Sequence, residues 1–352
     1  MEKNKREKKK NKGLRSLILL LFLTIIMFGT STYAWFTANR VVTINSLDVH
    51  VEASNGIQIS TNATAWKSVI TNPDIKTGAY SGNVNQVPAE VTAVSTNAIP
   101  TAAGRLNMYS SFIDNDSTTG DYNIKTILET DTQGTEGKYI AFDIFLRVDS
   151  DQTIYLTSDS DVTKIGNEER GLKNAARVAF VNLGHAESTA AAGTITALNT
   201  GASSDVILWE PNSDSHTDVV VSSVAPDYSV TLTSNGNGKY NPVPYYGIKY
   251  AIDPALDLRG VVNGTVTADA SSNAISDAMT SRVDIQTLEN NAVYTQFATL
   301  QAGVTKFRVY MWIEGQDIDC ENNATGSDIS YKIQLSTQSS ANPAASSASS
   351  NG

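Results

Sequence analysis

The stretch Lys306-Phe307-Arg308-Val309-Tyr310-Met311-Trp312-Ile313-Glu314 decides the fold. Phe307, Val309, Met311 and Ile313 occupy alternate positions, with Lys306, Arg308 and Glu314 between or beside them. A helix would scatter those apolar residues around its axis. A strand, with a period of two, gathers them on one face and sets the charged residues opposite. The same pattern recurs upstream and downstream. Residues 139–148 place Ile140, Phe142, Ile144, Leu146 and Val148 on one face, and residues 153–156 read as the partner strand. Ile329, Tyr331, Ile333 and Leu335 alternate with Ser330, Lys332, Gln334 and Ser336. Phe142, Ile144, Phe307, Val309, Met311, Ile333 and Leu335 are therefore the expected core.

Near the start of the body, Leu47-Asp48-Val49-His50-Val51-Glu52-Ala53 alternates strictly and is followed by Asn55-Gly56, then Ile57 and Ile59. Asn-Gly accepts positive φ at both positions, so a two-residue hairpin is expected there. Shorter strand candidates are 176–183, 206–209, 219–224, 229–233 and 245–252. Turn chemistry separates them, at Pro211-Asn212-Ser213-Asp214, at Ser234-Asn235-Gly236-Asn237-Gly238 and from Asp114 to Gly120. Many short alternating strands with such turns predict an all-β, antiparallel, jelly-roll-like sandwich. Residues 70–137 and 254–303 have weak periodicity and read as insertions, the second with a short helix near 277–288.

The 352 residues are 41% hydrophobic, enough for a sizeable core, and only 18% charged, which disfavours a helical bundle or coiled coil. The net charge of −10 argues against a nucleic-acid partner. That charge is unevenly placed. Residues 1–34 hold eight basic and two acidic residues, so the remainder has 18 basic and 34 acidic ones, a balance of −16. The basic head precedes an apolar run from Leu17 to Phe28 and then Gly29, Thr30, Ser31, Thr32, Tyr33 and Ala34. That order is a signal peptide, with cleavage expected between Ala34 and Trp35 by a signal peptidase. Twelve helical residues reach roughly 18 Å, short of a hydrocarbon core of about 30 Å. An uncleaved anchor is the alternative, and both place residues 35–352 outside the membrane. The expected organisation is a signal peptide at 1–34, a sandwich at 35–337, and a disordered Ser/Ala-rich tail at 338–352.

Catalytic chemistry is sparse. The three histidines, His50, His185 and His216, form no His-Glu-x-x-His pair, and no nucleophile elbow or phosphate loop is present. Cys320, the one cysteine, has carboxylates on both sides, which disfavours a thiolate. No cofactor and no enzymatic activity are expected. Calcium is the one ion the acidic loops suggest. Asp114, Asp116 and Asp121 form one candidate ligand set, and Glu314, Asp317 and Asp319 form another, with Asp149, Asp151, Asp159 and Asp161 a third. Solvated turns are the plainer reading of all three. Tyr228, Tyr240, Tyr245, Tyr246 and Tyr250 suggest either a sugar-binding face or, more plainly, sandwich-core or subunit-contact aromatics.

Four stretches carry a family resemblance. The junction Thr32-Tyr33-Ala34-Trp35-Phe36-Thr37, with its basic head and short apolar run, resembles the exported Firmicute proteins of the TasA/camelysin group. The ending Val309-Tyr310-Met311-Trp312-Ile313-Glu314-Gly315-Gln316-Asp317-Ile318-Asp319-Cys320 resembles clostridial relatives of that group. So do Ala175-Ala176-Arg177-Val178-Ala179-Phe180 and Trp209-Glu210-Pro211-Asn212. The resemblance implies a β-sandwich subunit of a secreted surface or biofilm-matrix fibre, joined to copies of itself head to tail. Trp35, Phe36, Val41 and Ile44 are then the assembly residues, on a β-prone strand freed by cleavage. Cell-wall or matrix components are further expected partners. A calcium-dependent or carbohydrate-binding adhesin is the alternative.

Overall fold

The computed structural model describes residues 42–43, 50–53, 56–88, 90–115, 122–131, 133–165, 171–224, 232–240, 246–248, 256–257, 261–262, 265–266, 279–281, 286–288, 294–315, 317–320 and 328–339. The chain is an all-β fold of stacked sheets with a few short helices. Gly303–Glu314 lies at the centre of the larger sheet. It pairs antiparallel with Ile140–Val148 on one side, where Ile144 faces Phe307 and Phe142 faces Val309. On its other side it pairs antiparallel with Ala176–Ala186, where Val178 faces Met311 and Phe180 faces Val309. Val206–Trp209 extends this sheet beyond Ala176–Ala186.

The second sheet runs in the order Thr295–Leu300, Gln152–Leu156, Asp328–Ser336, His50–Ala53, Val69–Ile70. Asp161–Ile165 also pairs with Asp328–Ser336. The two sheets close on one apolar core. Phe142, Ile144, Val178, Phe180, Phe307, Val309 and Met311 from the first meet Ile154, Leu156, Val162, Phe297, Ile329, Tyr331, Ile333 and Leu335 from the second. The Phe297 ring reaches across the interface, edge-on to Phe180 at 4.9 Å and tilted against Phe307 at 5.6 Å. All seven expected core residues are buried. Alternation on facing strands thus produces the sandwich, because each inner face can leave water only against the other.

Several local expectations are corrected. Gln152–Leu156 does not pair with Ile140–Val148; it pairs with Thr295–Leu300 and Asp328–Ser336 in the opposite sheet. The turn at 149–151 carries the chain between sheets, so both strands still point their apolar residues at the same core. The chain around Asn55-Gly56 does likewise. His50–Ala53 belongs to the smaller sheet and Gln58–Ser60 to the larger, with Gly56 at φ +94° between them. An alternating pair of strands around a turn cannot distinguish a hairpin from a crossover when both inner faces share one core. Residues 220–224 form a π-helical turn instead of a strand, started where Thr217 accepts the Val220 and Val221 amides through its hydroxyl and carbonyl. The helix expected near 277–288 is replaced by two strands, Met279–Ser281 and Gln286–Leu288, the second paired parallel with Val206–Trp209. Of the candidate strand 229–233, residues 229–231 lie outside the described residues.

The insertion at 70–137 does more than loop out. Every residue of Gly303–Glu314 is buried, including Lys306, Arg308 and Glu314 on the polar face. That face is covered by Val84, Val94, Ala98, Leu106, Met108 and Tyr139, packed on Ala179, Val181, Leu208, Tyr310 and Trp312. Further along, Ala63, Trp66, Tyr80, Ile195 and Leu198 pack on Phe145 and Val304. The central sheet therefore has an apolar core beneath it and a second cover above it.

Candidate functional site

Charged groups concentrate on the covered face. Arg177 opens the Ala176–Ala186 strand, paired in register with Trp312. Glu210 directly follows Val206–Trp209, and Asp317 sits in the turn after Gly303–Glu314. Neighbouring strands thus bring three segments distant in sequence to one end of the sheet. The Arg177 Nε donates to Glu210 Oε1 at 3.1 Å, Nη2 donates to Asp317 Oδ2, and Nη1 donates to the Asn174 carbonyl at 2.7 Å. Burial alone would lower the Arg177 pKa; Asp317, Glu210 and Glu314 outweigh it and push it up. The guanidinium stays charged as a buried, multiply bonded cation.

Beside it lies a second buried pair. His216 Nδ1 lies 2.6 Å from Asp319 Oδ2, while Asp319 Oδ1 accepts from Asn174 Nδ2 and the Thr217 amide, each at 3.2 Å. Tyr240 packs its ring 5.7 Å from the imidazole. Burial holds the Asp319 carboxyl above its ordinary range, opposed by the His216 hydrogen bond. Cys320 is buried next to this group. Burial, then the Asp317, Glu314 and Asp319 carboxylates, push its thiol pKa up. A thiol so held is a poor nucleophile.

A third cluster lies farther along the same covered face. Arg308 grips Asp143 through Nε at 2.7 Å and Nη2 at 3.1 Å, and the Tyr80 hydroxyl donates to the same carboxylate. Lys306 Nζ is 3.8 Å from Asp143 and donates to the Thr196 carbonyl at 2.6 Å. Burial lowers the Lys306 pKa against the pull of Asp143. Asp131 completes the series, accepting from the Tyr139 hydroxyl at 2.6 Å with Arg105 at 3.3 Å.

The sequence-derived calcium sets fall in different places. Asp114 lies on Met108–Asn115, paired with Asn123 on the neighbouring strand, and Asp116 and Asp121 lie outside the described residues. Glu314, Asp317 and Asp319 do come together at the end of the sheet. Their oxygens accept from protein donors: Glu314 from the Trp312 indole at 2.9 Å, Asp317 from Arg177 and the Asp319 amide, Asp319 from His216, Asn174 and Thr217. In the third set, Asp151 accepts from the Ala302 amide at 2.8 Å and Asp161 from the Val162 amide at 2.8 Å. Among the described residues, no group of three or more His, Cys, Asp or Glu side chains is arranged to hold a metal ion. Of the five tyrosines, Tyr240 packs on His216, and Tyr228, Tyr245 and Tyr250 lie outside the described residues.

Ala34, Trp35, Phe36, Val41 and Ile44 also lie outside the described residues, as does the apolar run at 17–28. Within the same segment, Val42–Thr43 pairs antiparallel with Glu90–Val91 of its own chain. Among the described residues no helix is long and apolar enough to cross a membrane. Sequence reasoning missed Arg177, Glu210, Asp143 and His216 as a set. The one signal that touches part of this set is that Arg177, Glu210 and Asp317 lie in three of the four stretches likened to that group.

Fold and site together define an all-β sandwich whose central sheet is sealed on both faces over paired charges. No family model, curated protein or solved structure matches this chain.

Proposed function

We propose that this chain is an exported structural subunit of a cell-surface or extracellular-matrix fibre, joined to further copies by exchange of its N-terminal strand. The supporting observation is the pairing of Val42–Thr43 with Glu90–Val91, which among the described residues is a sheet of two strands with two residues in each. So short a pairing is marginal by itself. The same pairing made with a neighbour's Glu90–Val91 leaves both sandwiches intact and is head to tail, so it propagates. Trp35 and Phe36 would anchor the junction, since large aromatics dominate such contacts.

The charge clusters fit this role as internal ties: Arg177, Arg308 and Asp319 spend their hydrogen bonds on the protein itself. Removal of the signal by a signal peptidase frees the strand, and secretion places the subunit where copies meet. Electron microscopy of the chain beginning at Trp35, beside one beginning at Ser46, tests the reading. Filaments from the first and none from the second support it. Filaments of equal yield from both remove the N-terminal strand from assembly.

A further inference from the structure

The hairpin Ser234–Gly236 with Lys239–Tyr240 contains two Asn-Gly pairs that look equivalent in sequence, Asn235-Gly236 and Asn237-Gly238. The structure makes them different. Gly236 pairs with Lys239, and the two residues between them, Asn237 and Gly238, both have positive φ, +54° and +72°. That is the two-residue turn for which Asn-Gly is the favoured pair, so Asn237 is held by the geometry that closes the hairpin. The next pair in register is Ser234 with Tyr240, and the register shifts between Ser234 and Gly236. Asn235 is therefore the extra residue of a bulge and has no partner in the ladder. Residues 234–238 are all exposed, and the space around Gly236 is open to 4 Å where a Cβ would stand. The Gly236 amide donates to the Ser234 hydroxyl at 3.2 Å, an exposed acceptor for which water competes.

We propose that Asn235 is a site of spontaneous deamidation and isoaspartate formation, and that Asn237 is protected by its turn. The Gly236 nitrogen gives its proton to water and attacks Cγ of Asn235. A C–N bond forms, the side-chain amide leaves as ammonia, and a five-membered succinimide results. Water then opens either carbonyl, giving aspartate or a β-linked isoaspartate. No oxidation state changes. Ring closure requires the asparagine backbone to rotate toward the following nitrogen. Asn235 has no ladder partner of its own to lose in that rotation; at Asn237 the rotation undoes the turn. Buried asparagines form the contrast. Asn212 donates to the Val162 and Lys173 carbonyls at 3.0 and 3.1 Å, and Asn174 donates to Asp319. The product places a negative charge in the hairpin whose Lys239 bonds Asp214 at 2.8 Å and whose Tyr240 packs on His216.

The test is peptide mapping of the folded mature chain during incubation in mildly alkaline buffer, with isoaspartate detected by enzymatic methylation. A mass gain of about 1 Da is expected at Asn235, accumulating several-fold faster than at Asn237. The Asn235→Gln variant should lose the fast phase and keep the slow one. In denaturant, where bulge and turn are gone, the two sites should react at similar rates. Equal rates at Asn235 and Asn237 in the folded chain, or faster reaction at Asn237, would overturn the assignment.

Discussion

Phe307 and Arg308 are adjacent on one strand and both buried, yet they are held in opposite ways. Phe307 lies between the sheets, where its environment is hydrocarbon and any apolar side chain of suitable volume would serve. Arg308 lies on the other face, where its charge is tolerable only because Asp143 accepts two of its hydrogen bonds. The inner face is stabilised by area and the covered face by pairing. Errors on the first face scale with volume, and errors on the second with orphaned charge. The second face is thus the more specific one, since Tyr80, Lys306 and Arg308 all converge on the single carboxylate of Asp143.

The largest expected effects set these faces against each other. Arg308→Ala should cost about 3–5 kcal/mol, because it removes the cation that gives a buried carboxylate two of its hydrogen bonds. Phe307→Ala should cost a similar ~3–5 kcal/mol through its cavity. A compensating change separates them: Asp143→Ala added to Arg308→Ala should restore much of the loss, whereas added to Phe307→Ala it should deepen it. Urea midpoints of the four variants read this out, and a double variant no better than Arg308→Ala would break the distinction. Tyr310→Phe is expected to cost less, about 1–3 kcal/mol, since the Leu106 amide loses the hydroxyl it donates to at 3.3 Å.

A smaller effect carries a sign. Burial holds the Asp161 carboxyl above its ordinary value of 3.8, so the folded state binds that proton more readily than the unfolded state. The penalty on its ionised form is complete above the folded pKa and disappears below 3.8. Asp161→Asn keeps an oxygen for the Val162 amide and removes the charge. It should raise the melting temperature at neutral pH, with the gain fading as the pH falls below the carboxylate range. A gain independent of pH would show that burial of charge is not the cause. Ile127→Ser, at an exposed position of Tyr122–Glu129, should change stability by no more than about 0.5 kcal/mol, the reference against which the others are judged.

The inner face was legible in the sequence because period-two alternation reports burial on one side directly. Phe142, Phe307 and Leu335 could be placed with no knowledge of their partners. The pairing of Gln152–Leu156 was not legible, because a turn between two strands that share a core looks the same whether it makes a hairpin or a crossover. The covered face was hidden for a different reason. Lys306, Arg308 and Glu314 read as a polar face, and their cover comes largely from residues 84–108, whose pairings are short, such as Ala93–Val94 with Ile313–Glu314 and the bridge Ser95–Tyr109, and whose pattern is weak. Asp143 and Arg308 are far apart in sequence, so only the register of the two strands reveals that they meet. The acidic run from Glu314 to Asp319 suggested an ion because carboxylates were visible there, whereas the cations and amides that bond them, Arg177, Asn174 and His216, lie on other segments.

The most direct test of strand exchange uses its register. Val42 is directly opposite Val91, so Val42→Cys with Val91→Cys, in a Cys320→Ala background, places two thiols across the junction. Oxidised within assembled filaments, this variant should give a ladder of covalent oligomers on denaturing gels, because Val42 of one copy then pairs with Val91 of the next. Filaments whose disulfides all close within single chains would contradict exchange of the N-terminal strand.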